Sequence, residues 1–117
     1  MPNMTGKSLK TGTIGWVDLT VDTAEAIRDF YSSVIGWKPE PLSMGDYDDF
    51  VMNAPLNKEA VAGICHARGG NADMPQQWLI YITVPDINES IKKCESLSGK
   101  IIVGLKEMGD QGKYCVI

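Results

Sequence analysis

Between Ile14 and Val21 the chain alternates in character. Val17, Leu19 and Val21 form one apolar face, and Ile14, Trp16, Asp18 and Thr20 form the other. A period of two predicts a strand over 13–21. The period then lengthens. Ile27, Phe30, Tyr31 and Val34 recur at helical spacing, which predicts a helix whose apolar stripe they form. Asp22 and Glu25 read as a capping-box-like start with Asp22 as the cap, and Gly36 reads as the C-terminal stop. A strand resumes over 37–42. Two more follow, at 46–52 after a turn at Gly45 and at 60–66 after a loop holding Pro55 and Asn57. The first half therefore reads β-α-β-β-β.

The same order returns further on. The segment "VDLTVDTAEAIRDFYSSVIGWKPEPL" from Val17 aligns with "IYITVPDINESIKKCESLSGKIIVGL" from Ile80. Thr-Val closes the apolar run in both, at Thr20-Val21 and Thr83-Val84, and Asp86 and Glu89 repeat the helix start. Ile87, Ile91 and Cys94, with Leu97 nearby, supply the second stripe, and Gly99 is read as its stop. The second half reads β-α-β-β: strand 78–84, helix 86–97, strand 100–106 and strand 113–117. Its last strand is missing relative to the first half. An internal repeat of this kind predicts an α+β fold built from two related modules.

Composition narrows the class. The chain has 117 residues, 44% hydrophobic and 22% charged, with a net charge of −4. One domain over 12–117 is expected, with module one at 12–67, a Gly-rich linker at 68–76, module two at 77–117 and a polar, flexible tail at 1–11. The acidic balance and scattered lysines exclude the basic footprint of a nucleic-acid or anionic-membrane binder. Cys65, Cys94 and Cys115 are odd in number and widely spaced, which fits neither a disulfide framework nor a zinc ribbon. No apolar run has membrane-spanning length and no signal-peptide core is present, so a cytoplasmic protein with reduced thiols is expected.

Three stretches carry a family resemblance: "WVDLTVDTAEAIRDFYSSVIGW", "VAGICHARG" and "WLIYITVPDINESIKKCESLSGKI". Together they resemble the vicinal-oxygen-chelate superfamily of glyoxalases, bleomycin-resistance proteins and extradiol dioxygenases over about residues 13–117. The W-x-D-L opening and W-x-x-Y strand are similar to its hydroxylase-like, uncharacterised branch. The resemblance implies two βαβββ modules, the second without its last strand, forming a curved mixed sheet. Its concave face makes a cup and its helices lie on the outer face.

Strand alternation then proposes the cup lining. Val17, Leu19 and Val21 face the first helix, and by the repeat Trp78, Ile80, Ile82 and Val84 lie against the second. Trp16, Asp18, Leu79 and Tyr81 line the cup, with Tyr47 or Phe50 from the third strand. Asp18 and Tyr81 hold equivalent positions in the two modules. In strand 60–66, either Cys65 or the pair Ile64 and His66 points inward.

Family enzymes commonly hold a divalent metal with His, Gln or Glu from the first and fourth strands of each module. Those first-strand positions fall on Trp16 and Leu79, neither of which can ligate. His66, the single histidine, is the remaining standard candidate, and its alternative reading is a hydrogen-bonded strand-end residue. The expectation is no metal cofactor, with a divalent ion as the alternative. Asp18 reads as a candidate general base or ligand acceptor, or as a structural acceptor for a group such as Tyr81. The acidic run Asp46, Asp48 and Asp49 reads as a solvated edge. Cys65 lacks a well-placed base, because His66 beside it points to the other face.

Three functions compete. The first is a metal-independent protein binding a small aromatic or apolar molecule, on the model of bleomycin-resistance relatives. The second is a glyoxalase-like lyase or isomerase, or a dioxygenase-like oxidoreductase. The third is a dimeric interaction module. Homodimerisation is expected because a missing strand leaves a bare sheet edge.

Overall fold

The computed structural model describes residues 10–108 and 112–117. Most of the expected tail, residues 1–9, lies outside the described residues. The element order is β1 (Ile14–Val21), α1 (Ala24–Ile35), β2 (Lys38–Ser43), β3 (Asp48–Asn53), β4 (Ala60–His66), β5 (Trp78–Ile82), α2 (Ile87–Ser96), β6 (Val103–Glu107) and β7 (Lys113–Val116). A short 3-10 turn at Gly69–Asn71 lies in the connection from β4 to β5. The fold is α+β. Strands β2-β3-β4-β1-β5 form a mixed five-stranded sheet, and β6 and β7 form a second, two-stranded one. The described residues fall into two units, one of residues 16–81 and one of residues 10–15 with 82–117.

In the first unit, α1 carries the chain across the sheet, so β4 pairs with β1 in parallel. Antiparallel pairings of β2 with β3 and β3 with β4 complete it. Leu19, Val21, Phe50, Met52, Ala62 and Ile64 close into one buried cluster with Ala24 at the start of α1. Ala24 has no exposed surface, and its small side chain lets the helix sit close to the sheet.

The helix seats itself about one residue away from the expected stripe. Ala24, Ile27 and Tyr31 pack on the cluster, and Arg28 lies 4.6 Å over the Phe50 ring. Phe30 and Val34 turn outward, 55% and 61% exposed. The Arg28 guanidinium, and not the Phe30 ring, thus stands against Phe50. Trp78 also departs from expectation. Its Nε1–H donates to the Tyr31 hydroxyl at 2.9 Å, and its ring meets Tyr31 and Trp37 edge-on. It therefore packs on the first helix, and within the second unit Ile82 and Val84 are exposed.

The helix ends show how much of the repeat is physical. Asp86 caps α2 as expected, accepting from the Asn88 and Glu89 amides at 3.0 and 3.3 Å. Asp22 does not cap α1. Thr23 holds the N-cap position without a side-chain bond, and Asp22 instead accepts from Gln76 Nε2 at 3.2 Å. Gly36 ends α1 in the left-handed region, at φ 80°, with its N–H on the Ser32 carbonyl. In α2 that left-handed position is Ser98, at φ 72°. Gly99 matters for space: a Cβ there would stand 2.5 Å from Cys94 Sγ and 3.0 Å from the Cys94 carbonyl oxygen. No helix among the described residues is long and apolar enough to cross a membrane.

A Cβ at Gly36 would meet only Pro55 Cγ, at an ordinary 3.9 Å, so it is the backbone angle that resists a side chain. The Gly36→Ala variant is expected to lose about 1 kcal/mol in urea unfolding, and Gly36→Asn less, since Asn tolerates the left-handed region.

Candidate functional site

Two faces emerge from the register of β1 on β4. Leu19 pairs with Ile64 and Val21 with His66, and these residues turn toward α1. Asp18 pairs with Gly63 and Thr20 with Cys65, and these turn away from it. That settles the open phase of β4: Cys65 shares the Asp18 face, and Ile64 and His66 do not. Asp49 of β3 joins the same face, in electrostatic contact with both Asp18 and Cys65.

Asp18 is the centre of this face. It is 3% exposed, and its Oδ1 accepts from the Tyr81 hydroxyl at 3.1 Å. Burial pushes its carboxyl up to about 6, the Tyr81 bond opposes the rise, and the neighbouring Asp49 charge adds to it. The Cys65 thiol is pushed well up, first by burial and then by the Asp49 and Asp18 charges. It stays protonated at neutral pH and is no nucleophile. Gly63 makes the crowding possible: a methyl group there would lie 3.2 Å from Asp18 Cβ and 3.5 Å from Trp16 Nε1. Trp16 is itself buried, and its Nε1–H approaches the Asp18 carboxyl closely enough that a hydrogen bond from it, looser than the Tyr81 bond, also opposes the rise.

His66 belongs to a different group. Its Nε2 lies 3.0 Å from Glu25 Oε1 at the start of α1, and this bond is the main cause that lowers the Glu25 carboxyl. Its backbone N–H donates to Asp49 Oδ1 at 2.8 Å. The ring's Nδ1 stands 3.4 Å from that same oxygen without bonding geometry. Tyr47 meets the His66 ring edge-on at 5.3 Å between centroids, and Arg68 covers Tyr47 from 4.1 Å.

The proposed cup residues therefore divide. Trp16, Asp18 and Tyr81 come together, and Leu79, half-buried, shares the Tyr81 side of β5 by alternation. Phe50 does not join them: it pairs with Ile64 in the core, because β3 turns its odd-numbered residues toward Asp18. Tyr47 packs on His66. Asp49 was missed. It is buried, not part of a solvated edge, and the signal was its place between Tyr47 and Val51 in an alternating strand. Glu25 was read only as a cap, and nothing in its local sequence points to His66.

The donors do not fit a metal. His66 offers Nε2 to Glu25 on the α1 side, whereas Asp18 and Cys65 lie on the opposite face. Among the described residues, no three His, Cys, Asp or Glu side chains converge as a ligand set.

Asp18 has a pH signature. Its folded pKa of about 6 lies above its ordinary 3.8, so the unfolded chain ionises first. The burial cost is absent below about pH 4, grows as pH rises, and is complete above pH 6. At about 1.4 kcal/mol per pH unit the full cost is roughly 3 kcal/mol. Asp18→Asn, which can still accept from Tyr81, is expected to be more stable than the parent by about 1–3 kcal/mol at pH 8 and nearly equal at pH 4, measured by urea unfolding.

Comparison with known proteins adds the lineage. A family model described as Glyoxalase/Bleomycin resistance protein/Dioxygenase superfamily matches residues 13–117. A protein named "Putative glyoxylase CFP32" from Mycobacterium bovis is 34% identical over 113 residues, covering 92% of this chain and 42% of that protein. The protein of the same name from Mycobacterium tuberculosis matches equally. The "Anthracycline biosynthesis protein DnrV" of Streptomyces peucetius is 28% identical over 90 residues, covering 77% of this chain and 32% of the relative. This chain thus spans less than half the length of these relatives. With the matched model extending from the first strand to the last residue, the chain belongs to the glyoxalase/bleomycin resistance protein/dioxygenase superfamily.

Proposed function

We propose that this domain binds a small planar molecule, aromatic or largely apolar, on the Asp18 face, and does so without a divalent metal held by its own residues. One observation carries the reading. The single histidine engages Glu25 through Nε2 on the opposite face, and the family resemblance implies that Trp16 takes a strand position where metal-binding members place a ligand. An indole, a phenol and a carboxyl on one wall suit a flat molecule with a few polar atoms. Trp16, Asp18, Thr20 and Asp49 are all buried, so a ligand reaches them only as that face opens. The name of the Streptomyces relative, with its reference to anthracycline biosynthesis, supports a planar polycyclic class of ligand.

A second reading is an enzyme of the lyase, isomerase or oxidoreductase kinds found in the superfamily. The carboxyl of Asp18 favours it: a group titrating near 6 can take and return a proton around neutral pH. The exposed Phe30 and Val34 on α1 favour a homodimer, and three free cysteines favour a reducing, cytoplasmic setting.

Native mass spectrometry of the purified protein, with metal analysis on the same sample, tests the proposal. A copurifying organic ligand and less than about one metal per ten chains are expected. Stoichiometric, tightly held zinc, nickel, manganese or iron would overturn the metal-free reading. Light scattering at micromolar concentration is expected to give twice the chain mass, and a monomer mass would remove the dimer.

A further inference from the structure

We propose that Cys94 and Cys115 are a reversible disulfide site, at which a small-molecule disulfide of the glutathione class joins the two sulfurs and ties the last turn of α2 to β7. The site lies wholly within the second unit and does not depend on the ligand-binding reading above.

The α2 helix turns one stripe inward. Ile87, Ile91 and Cys94 are half-buried at helical spacing, while Lys92, Lys93 and Glu95 beside them are exposed. The turn after the helix holds the Cys94 sulfur. The Gly99 N–H donates to the Cys94 carbonyl at 2.8 Å, and the place of the absent Gly99 Cβ lies 2.5 Å from Cys94 Sγ. That turn feeds β6, and β6 brings in the partner strand. The Ile102 N–H donates to the Val116 carbonyl at 2.7 Å, and Val103 pairs with Val116, the chain neighbour of Cys115. Cys115 is half-buried like Cys94 and close enough to feel its charge. Burial raises the Cys115 thiol first, and the Cys94 charge raises it further. Cys65 differs on each count. It belongs to the other unit, is 6% exposed, and its thiol is pushed well up by burial.

The chemistry is thiol–disulfide exchange. One protein thiol loses its proton and attacks a sulfur of the small disulfide. That S–S bond breaks, one small thiolate leaves, and a mixed disulfide forms. The second protein thiol loses its proton, attacks the protein sulfur of the mixed disulfide and expels the other small thiolate. The two departing thiolates take up the two protons. Two protein thiols are thereby oxidised to one disulfide, and one small disulfide is reduced to two thiols. The thiolate is the nucleophile, and the raised Cys115 thiol ionises late, so the exchange quickens as pH rises above neutral. The bridge closes a loop that runs from the last turn of α2 through β6 to β7, which restrains the unfolded chain. In a reducing setting the site rests as two thiols.

The test incubates the whole reduced chain, without denaturant, with oxidised glutathione at about pH 8 and reads intact mass and tryptic peptides. Cleavage after lysine and arginine puts Cys94 in residues 94–100, Cys115 in 114–117 and Cys65 in 59–68. A chain lighter by two hydrogens is expected, with 94–100 linked to 114–117 and Cys65 unmodified. Its urea unfolding midpoint is expected to rise, and dithiothreitol to reverse both changes. Cys115→Ser is expected to stop at a glutathione adduct on Cys94, and Cys94→Ser at one on Cys115, each with a circular dichroism spectrum matching the parent and no rise in midpoint. Cys65→Ser is expected to form the bridge as the parent does. Glutathione adducts that persist on Cys94 and Cys115 of the same chain would overturn the site. So would a link made only to Cys65 or only between two chains, or a chain left unmodified.

Discussion

The parallel register of β1 on β4, with Asp18 opposite Gly63, decides which side chains share a face. Because side chains alternate along a strand, a slip of one residue would turn Asp18 into the apolar cluster and Leu19 out of it. The cluster holds that register. Leu19, Val21, Ala62, Ile64 and Met52 are buried against α1, and none could exchange places with Asp18 or Asp49 without leaving a carboxyl among hydrocarbon. The hydrophobic face thus fixes the polar one. Gly63 then sets how closely the two strands' side chains approach, and the space over it is shared by the Trp16 indole and the Asp18 carboxyl.

Two carboxyls, a thiol and an indole N–H are consequently packed onto one wall. Asp49 has an outlet, since its Oδ1 accepts from the His66 amide. Asp18 has the Tyr81 hydroxyl, which only partly offsets the burial that raises its pKa. This is the pattern by which folded proteins hold a group ready for a ligand or a proton at some cost in stability. On the other face, the His66 and Glu25 pair ties the first turn of α1 to the end of β4. It engages the Nε2 of the single histidine.

The element order was legible in the sequence because it rests on local periodicity. The strand at 60–66 falls where the alternation places it, and the Asp86 cap follows from a residue type and a spacing. Gly36 was readable for the same reason. The failures lie where long-range packing chooses between locally equivalent options. Phe30 and Arg28 both border the helix stripe, and only the position of Phe50 selects Arg28. Trp78 was assigned by analogy between modules, but its partner Tyr31 lies 47 positions earlier in the chain. The odd-residue phase of β3, which buries Asp49 and moves Phe50 into the core, follows from pairing with β4 and from nothing nearby. Asp18 and Tyr81 were placed together by the repeat, and their hydrogen bond depends on β5 lying next to β1.

The account depends on Asp18 being a buried carboxyl, bonded to Tyr81 and ready to accept from a ligand. Carbon-13 NMR of the Asp18 side-chain carboxyl, followed from pH 3 to pH 9, measures this directly. The account predicts a titration midpoint near 6, moving further up in Tyr81→Phe as the hydroxyl that favours the charged form is lost. A midpoint near the ordinary 3.8, unmoved by that substitution, would show a solvated carboxylate and contradict it.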